Sequence, residues 1–383
     1  MPVSNSKRVV LGMSGGVDSS VAAKLLKQQG YEVIGVTLKV WEEEDATSVS
    51  KRWQERGCCK VGIARHVAEV LGISHRVIDT RERFQKGVID DFIGGYLQGT
   101  TPNPCVRCNE RVKFGGLFQV ADALGADYIA TGHYANIKHD EGGTPLLVRG
   151  KDANKDQSYF LYRIPPSWLS KMMFPLGDME KPDVWREAEA MGLPVDELKE
   201  SQEICFVTQG DYRQFLKQHA PQASSPGTFV DEKGKELGQH QGVAFYTPGQ
   251  RKGLGIAGGS RLYVQRVLPD MNMVVLGPAE DLDSRECLVS DLNIFSPESL
   301  QHASKIDVKF RYSTPPVPAT YRWSDSTSMT IRFDAPVRAL SPGQSAVFYL
   351  GDRVLGGGII QGPTPKKNIQ MCEETDSAAR PQR

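Results

Sequence analysis

The segment Gly12-Met13-Ser14-Gly15-Gly16-Val17-Asp18-Ser19 joins a short apolar run, Lys7 to Gly12, to residues with apolar side chains at helical spacing. A glycine loop that feeds a helix N-terminus lets backbone N–H groups close around an anion, and the helix end adds partial positive charge. Ser14 and Ser19 can donate hydroxyl hydrogens to phosphate, while Asp18 can cap the helix and help to hold Mg²⁺. The Gly-Lys-Ser/Thr ending of a Walker loop is missing, so transfer of a terminal phosphoryl group is not the expected chemistry. The plain alternative is an ordinary glycine turn with Asp18 as its cap. The strand–loop–helix setting of Ser-Gly-Gly-Val-Asp-Ser weights the choice towards phosphate.

Cysteines form the second group. Thr101-Pro102-Asn103-Pro104-Cys105-Val106-Arg107-Cys108-Asn109 reads as a proline-broken loop leading into a helix over Asn109–Leu124. Cys108 then falls near a helix start with Arg107 and Arg111 close by, and both influences favour thiolate. No second Cys-x-x-Cys and no His-x₃₋₅-His follow, which leaves a four-ligand zinc site poorly supported. Cys205, in Ser201-Gln202-Glu203-Ile204-Cys205-Phe206-Val207, reads on composition alone as a buried structural cysteine. Cys58, Cys59, Cys287 and Cys372 read as structural or incidental.

The elements that must position these groups follow from periodicity. After the first strand and helix come a second strand from Tyr31, a helix over Val61–Leu71, a strand over His75–Asp79 and a strand over Asp127–Gly132. Alternating strands and helices predict a parallel α/β sheet with crossover helices, and ligands of such sheets bind at the strands' carboxyl ends. Past about residue 213 glycine and proline become dense and short alternating runs appear, at Arg261–Val267 and Met273–Leu276. From 280 to 362 the pattern is all-β: Lys305–Tyr312, Ala319–Trp323, Met329–Phe333, Ser345–Leu350 and Val354–Ile360, a small barrel or sandwich. The expected division is 1–213 catalytic, 214–279 central, 280–362 β-barrel, and 363–383 a polar, disordered tail. A length of 383 residues suits two or three such domains. The 46 acidic residues balance 46 basic ones, so a nucleic-acid partner needs a local basic face. Seven cysteines, no apolar run near ~20 residues and no signal-peptide pattern point to a cytoplasmic protein with reduced thiols and no membrane partner.

The Gly12–Ser19 loop resembles the pyrophosphate-loop signature of enzymes that split ATP between its α and β phosphates and pass AMP to a carbonyl oxygen. Thr101–Pro104, Cys108-Asn109, Thr131-Gly132-His133-Tyr134, Lys155–Leu161, Cys205-Phe206 and Gly249–Gly255 extend the likeness over nearly the whole chain, which resembles the tRNA-specific 2-thiouridylases. That resemblance implies an adenine-nucleotide α-hydrolase-like parallel-sheet domain, a small central domain and a C-terminal β-barrel. It implies ATP contacts at Gly12, Met13, Ser14, Gly15, Gly16, Val17, Asp18 and Ser19, at Leu38 just after the second strand, and at Gly132. It implies that Cys205 carries a persulfide from a sulfur carrier or cysteine desulfurase, and that Cys108 is its partner. The sulfur then reaches C2 of an anticodon wobble uridine directly or as released sulfide, and both routes end in a Cys108–Cys205 disulfide with loss of AMP.

The same resemblance places Asn103, Pro104 and Cys105 beside the target base, and His133, Lys155, Asp156, Gln157, Arg311, Tyr312 and Gln344 on tRNA. Many relatives carry Asp where this chain has Cys105, and a thiol serves less readily as acid or base. Cys105 could instead join Cys108 and Cys205 as three thiolates of an iron–sulfur cluster. Residues 305–338 hold six Lys/Arg against three Asp, interleaved with Tyr312, Tyr321 and Trp323, which suits phosphate contact and base stacking. Two other readings stay open: an adenylating ligase or amidotransferase acting on a small carbonyl compound, and a non-catalytic tRNA-binding or iron–sulfur module that keeps the loop.

Overall fold

The computed structural model describes residues 6–41, 59–193, 204–207, 211–256 and 261–363. The expected tail, Cys58, Cys372 and Ser201–Glu203 lie outside the described residues.

Five parallel strands form the first sheet: β1 (Arg8–Gly12), β2 (Glu32–Lys39), β3 (Ser74–Asp79), β4 (Tyr128–Thr131) and the short β7 (Met172–Met173), in the order β3-β2-β1-β4-β7. Alternation along β1 feeds two cores. Val9 and Leu11 pack with α1 (Val17–Gln28), α2 (Cys59–Leu71) and Lys181–Ala190, while Val10 packs on Phe114–Leu124. β1 has β2 on one side and β4 on the other, so the crevice at its carboxyl end is a topological switch point. The Gly12–Ser19 loop occupies that position. Leu38 lies inside β2, one residue before its end, rather than beyond the strand.

A single helical run covers 104–124, made of Pro104–Cys108, a π-turn at Asn109–Lys113 and Phe114–Leu124. This corrects the expected loop through Pro104. Proline's missing N–H is harmless at a helix's first position, and the Asn103 side chain caps the run by accepting from Val106 N at 3.3 Å. A second π-turn, Gln85–Ile89, interrupts the helical run over 81–97. The two π-turns meet: Arg111 donates to the Gly87 carbonyl at 3.1 Å.

Between residues 227 and 277 lies a four-stranded sheet, β10-β11-β8-β9, formed by β8 (Gly227–Val230), β9 (Glu236–His240), β10 (Tyr263–Leu268) and β11 (Met273–Gly277). The barrel strands are β12 (Asp283–Ile294), β13 (Ile306–Lys309), β14 (Val317–Trp323), β15 (Met329–Arg338), β16 (Ser345–Leu350) and β17 (Arg353–Pro363). Pairing of β12 with β17 closes them into a ring. The hairpin β5 (Ala135–His139) and β6 (Pro145–Arg149) joins this sheet through Arg353 and Val148, tying the first domain to the barrel. Neither β12 nor this hairpin appears in the reading from periodicity. β12 mixes polar and apolar residues irregularly because two bulged pairings twist it through both sheet faces.

Candidate active site

The nucleotide side is built from β1, α1 and the turn after β4. Gly15 holds φ +76°, which only glycine adopts without strain, and the loop closes on itself. Ser19 Oγ donates to the Gly16 carbonyl at 3.0 Å and accepts from Ser14 N at 3.2 Å, with Ser14 Oγ 3.4 Å away. Both hydroxyls thus face the same small volume as the helix N-terminus. Asp18 is not the cap; Gly16 takes that position, and Asp18 Oδ1 accepts from Tyr134 OH at 2.8 Å and Lys181 Nζ at 2.7 Å. A Cβ on Gly132 would stand 2.8 Å from both the Asp18 carbonyl carbon and Ser19 N, so only glycine fits against the helix start. The Leu38 methyls lie 3.5 Å from where a Cβ on Gly116 of the 114–124 helix would stand.

His133 follows directly. Burial, then the charge of Lys113, hold its pKa well below the ordinary value, so the ring is neutral. Its Nδ1 donates to Thr131 Oγ1 at 2.6 Å, which leaves Nε2 to accept from Lys113 Nζ at 3.5 Å. Lys113 in turn stands within electrostatic reach of Cys105 and Cys108.

The thiols depart from expectation in two ways. Cys108 sits in the second turn of its helical run, not at its start, and Arg107 and Arg111 are spent on carboxylates. Arg107 pairs with Glu110 at 3.0 Å and Asp91 at 3.5 Å, and Arg111 pairs with Asp91 at 2.9 Å. Burial therefore pushes the Cys108 thiol up to about 12, with Lys113 the one opposing influence and the Cys205 and Cys105 charges adding to the rise. Cys105 is exposed yet recessed, and its thiol is also raised, first by burial and then by Cys205. Cys205, expected on composition to be buried, is exposed instead. Its neighbour Phe206 takes the interior position, with ring centroids 5.7, 5.2 and 5.1 Å from Phe84, Phe92 and Phe215. Ile204 and Cys108 both lean on this aromatic cluster. Cys287 is fully buried in the barrel, as its structural reading requires. Among the described residues no three His, Cys, Asp or Glu side chains stand close enough to hold a metal ion. Cys105, Cys108 and Cys205 share one region without forming the ligand set of an iron–sulfur cluster.

The residues expected on tRNA divide. Asp156 is buried and its carboxylate accepts from Gly150 N, Ser158 N and Ser158 Oγ at 3.0–3.1 Å, so it orders its own loop. Gln157 Oε1 accepts from Tyr134 N at 3.1 Å, fixing the turn after β4; Lys155 is half-buried beside them. Gln344 Nε2 donates to the Thr101 carbonyl at 2.9 Å, docking the barrel against the 101–104 segment. Arg311 reaches the Ala339 carbonyl. Tyr312, exposed, lies 4.6 Å from the Phe160 ring with Lys309 Nζ 5.2 Å above it. Elsewhere the basic excess of 305–338 is partly neutralised, since Lys305, Arg332 and Arg338 face Asp334, Glu286 and Asp283. Lys309, Arg311, Tyr312 and Phe160 form one basic-aromatic patch, and the exposed Arg322 and Trp323 form a second on β14. Lys113, Lys181 and Phe160 had no separate signal in the sequence, because each matters through partners about 20 to 163 positions away.

Comparison with known proteins assigns the class first. Residues 7–209 match the tRNA methyl transferase HUP domain, 213–278 the tRNA methyl transferase PRC-barrel domain, and 284–360 the aminomethyltransferase beta-barrel domain. The particular relatives are sharper. The chain is 46% identical over 360 residues to the tRNA-specific 2-thiouridylase MnmA of Clostridioides difficile, covering 93% of this chain and 98% of that protein. It is 47% identical over 356 residues to that of Moorella thermoacetica, covering 92% and 99%. A third, MnmA 1 of Caldanaerobacter subterraneus, is 46% identical over 365 residues, covering 94% and 99%. The chain belongs to the tRNA-specific 2-thiouridylase family.

Proposed function

We propose that this chain thiolates the C2 position of the wobble uridine in tRNA, with ATP as the activating substrate. The observation that carries the reading is the continuity of the site. Gly132 abuts the phosphate loop, His133 follows it, Lys113 bonds to His133, and the thiols of Cys105 and Cys108 lie within reach of Lys113. An activating nucleotide and a sulfur chain can therefore meet at one base. The matched domain models carry a methyl-transferase name, but a phosphate loop in one site with two thiols supports sulfur transfer.

In this reading Gly12, Met13, Ser14, Gly15, Gly16, Val17, Asp18 and Ser19 hold the ATP phosphates, with Leu38 and Gly132 flanking the nucleoside. Asp18 spends only Oδ1 on Lys181 and Tyr134, so Oδ2 remains for a Mg²⁺ arriving with the nucleotide. The uridine O2 attacks the α-phosphorus, an O–P bond forms, and diphosphate leaves. A sulfur carrier or desulfurase has charged Cys205 as a persulfide, which extends its reach by about 2 Å. The terminal sulfur replaces the activated oxygen at C2 and AMP leaves. Cys108 thiolate takes the Cys205 sulfur, forming the Cys108–Cys205 disulfide as the S–S bond of the persulfide breaks. Whether that attack releases sulfide first or follows direct transfer, the same two thiols are consumed. Asn103, Pro104 and Cys105 border the extruded base, and Lys309, Arg311 and Tyr312 take the anticodon stem-loop. The iron–sulfur alternative has no support in the placement of the three thiols.

The test is direct. Protein, ATP, a persulfide donor and unmodified tRNA are incubated, and 2-thiouridine is measured by mass spectrometry. Cys108→Ala and Cys205→Ala should each abolish product. Full thiolation by Cys205→Ala would end the persulfide assignment. Full activity in the iron-free protein is expected; activity that appears only after iron–sulfur reconstitution would reverse the choice between mechanisms.

A further inference from the structure

The π-turn at Asn109–Lys113 has a specific geometric effect. Along an ordinary α-helix, five residues carry a side chain about 140° around the axis from where it began. The wider i→i+5 pattern of a π-turn brings the fifth residue to about 50° from the first, much nearer than in an α-helix. Phe114 N bonds to the Asn109 carbonyl in this pattern, and Lys113, five residues after Cys108, closes the turn within electrostatic reach of that thiol. A regular helix would aim it elsewhere.

The ammonium so placed is half-buried, and among the described residues no carboxylate pairs with it. Its bonded neighbour is the neutral ring of His133. Every other nearby cation is already matched: Arg107 and Arg111 by Asp91 and Glu110, Arg163 by Glu110 and Asp291. A half-buried cation without a counter-charge is costly unless an anion joins it at some stage. The groups beside it that can become anions are thiols.

We propose that Lys113 is the positioning cation of sulfur transfer: it pairs with the Cys108 thiolate, turned onto it by the π-turn and held at its other side by His133. This deepens the reading above and rests on Cys108 being the attacking thiol. The charged or titratable groups facing Cys108 are Cys105 from its own helix, Cys205 from the 204–207 segment, and Lys113. Two of these three oppose the thiolate, and only Lys113 favours it. His133, one step further on, contributes no charge, because burial and then the Lys113 charge keep its ring neutral. The thiol stays protonated in the resting chain, and Lys113 is the group placed to offset the cost of ionising it when it attacks the persulfide.

The experiment uses the full chain in a Cys105→Ser, Cys205→Ser background, so that alkylation at Cys108 can be followed by peptide mass spectrometry across pH. Lys113→Met should slow alkylation about tenfold at any fixed pH below the thiol pKa. Lys113→Arg should recover most of the rate. In otherwise wild-type protein, Lys113→Met should lower kcat for thiolation while tRNA-dependent ATP–pyrophosphate exchange persists, which separates the effect from misfolding. Unchanged alkylation rate and pH profile in Lys113→Met overturn the proposal. Slowed alkylation with undiminished thiolation overturns the attacking role of Cys108 instead and leaves the ion pairing standing.

Discussion

Single residues in this chain act by what they exclude as much as by what they bind. Gly132 has no side chain because the helix start occupies that space at 2.8 Å. Gly132→Ala must push α1 or the loop away, so ATP–pyrophosphate exchange should fall by at least about a hundredfold, as a displacement near 1 Å does in a positioned site. The fold should survive, as read by an unchanged circular dichroism spectrum. Thiol burial gives a second expectation. Cys287 lies wholly inside the barrel and its thiol is pushed up to about 12, above the unfolded value near 9. A raised acid keeps its proton in the folded state while the unfolded chain loses it. Stability is therefore unaffected below about pH 9 and falls as pH rises from there towards 12, by up to about 1.4 kcal/mol per unit. Cys287→Ala should flatten this alkaline loss in denaturant titrations at pH 8 and pH 10. In native alkylation followed by peptide mapping, the exposed Cys205 should label quickly and Cys287 only on unfolding.

At the scale of elements, the site depends on segments whose conformation is borrowed. Residues 204–207 form no helix or strand; Phe206 anchors them in the cluster of Phe84, Phe92 and Phe215. Phe206→Ala should cost about 3–5 kcal/mol, lower the melting temperature and reduce thiolation, whereas Phe206→Leu should retain most of both. A variant that thiolates normally at full occupancy despite losing this anchor would show that Cys205 does not need its present setting. The strand–loop–helix of residues 8–28 was legible in the sequence because all its determinants are local: a continuous apolar run, paired glycines and a helical period. The barrel strand Ser345–Leu350 was legible to the residue for the same reason. The start of the cysteine helix was not, since two prolines in four positions read as a break until Asn103 is seen capping and Pro104 occupying the first turn. Nor was the protonated state of Cys108. Arg107 and Arg111 flank Cys108 within three residues, but Asp91 and Glu110 claim their charge, and Asp91 comes from another helix.

Across the whole molecule, the barrel and the nucleotide domain meet at the segment bearing the cysteines. Thr101 N donates to the Pro342 carbonyl at 2.7 Å, Gln344 Nε2 returns to the Thr101 carbonyl, and Arg163 links Glu110 of the cysteine helix to Asp291 of β12. Gly343 stands at the centre of this seam with φ +88°, and a Cβ there would lie 2.9 Å from Thr101 N. The seam sets the distance between Tyr312 and Lys309 on the barrel and Asn103–Cys105 on the helix, which in the proposed function is the distance between the tRNA stem and the base to be modified. Gly343→Val meets both a forbidden backbone region and a backbone clash, so it should part the seam without emptying either core. The expected result is a raised KM for tRNA and a lowered kcat, with ATP binding by the isolated loop region retained. Lys309→Ala should behave differently. It leaves the seam intact and removes one phosphate-directed charge, so tRNA affinity should fall and the slope of log affinity against log salt should flatten by about 0.7–0.9. If Gly343→Val altered only that salt slope and left kcat alone, the seam would be a passive contact, and the register between barrel and cysteine helix would have to be set by tRNA itself.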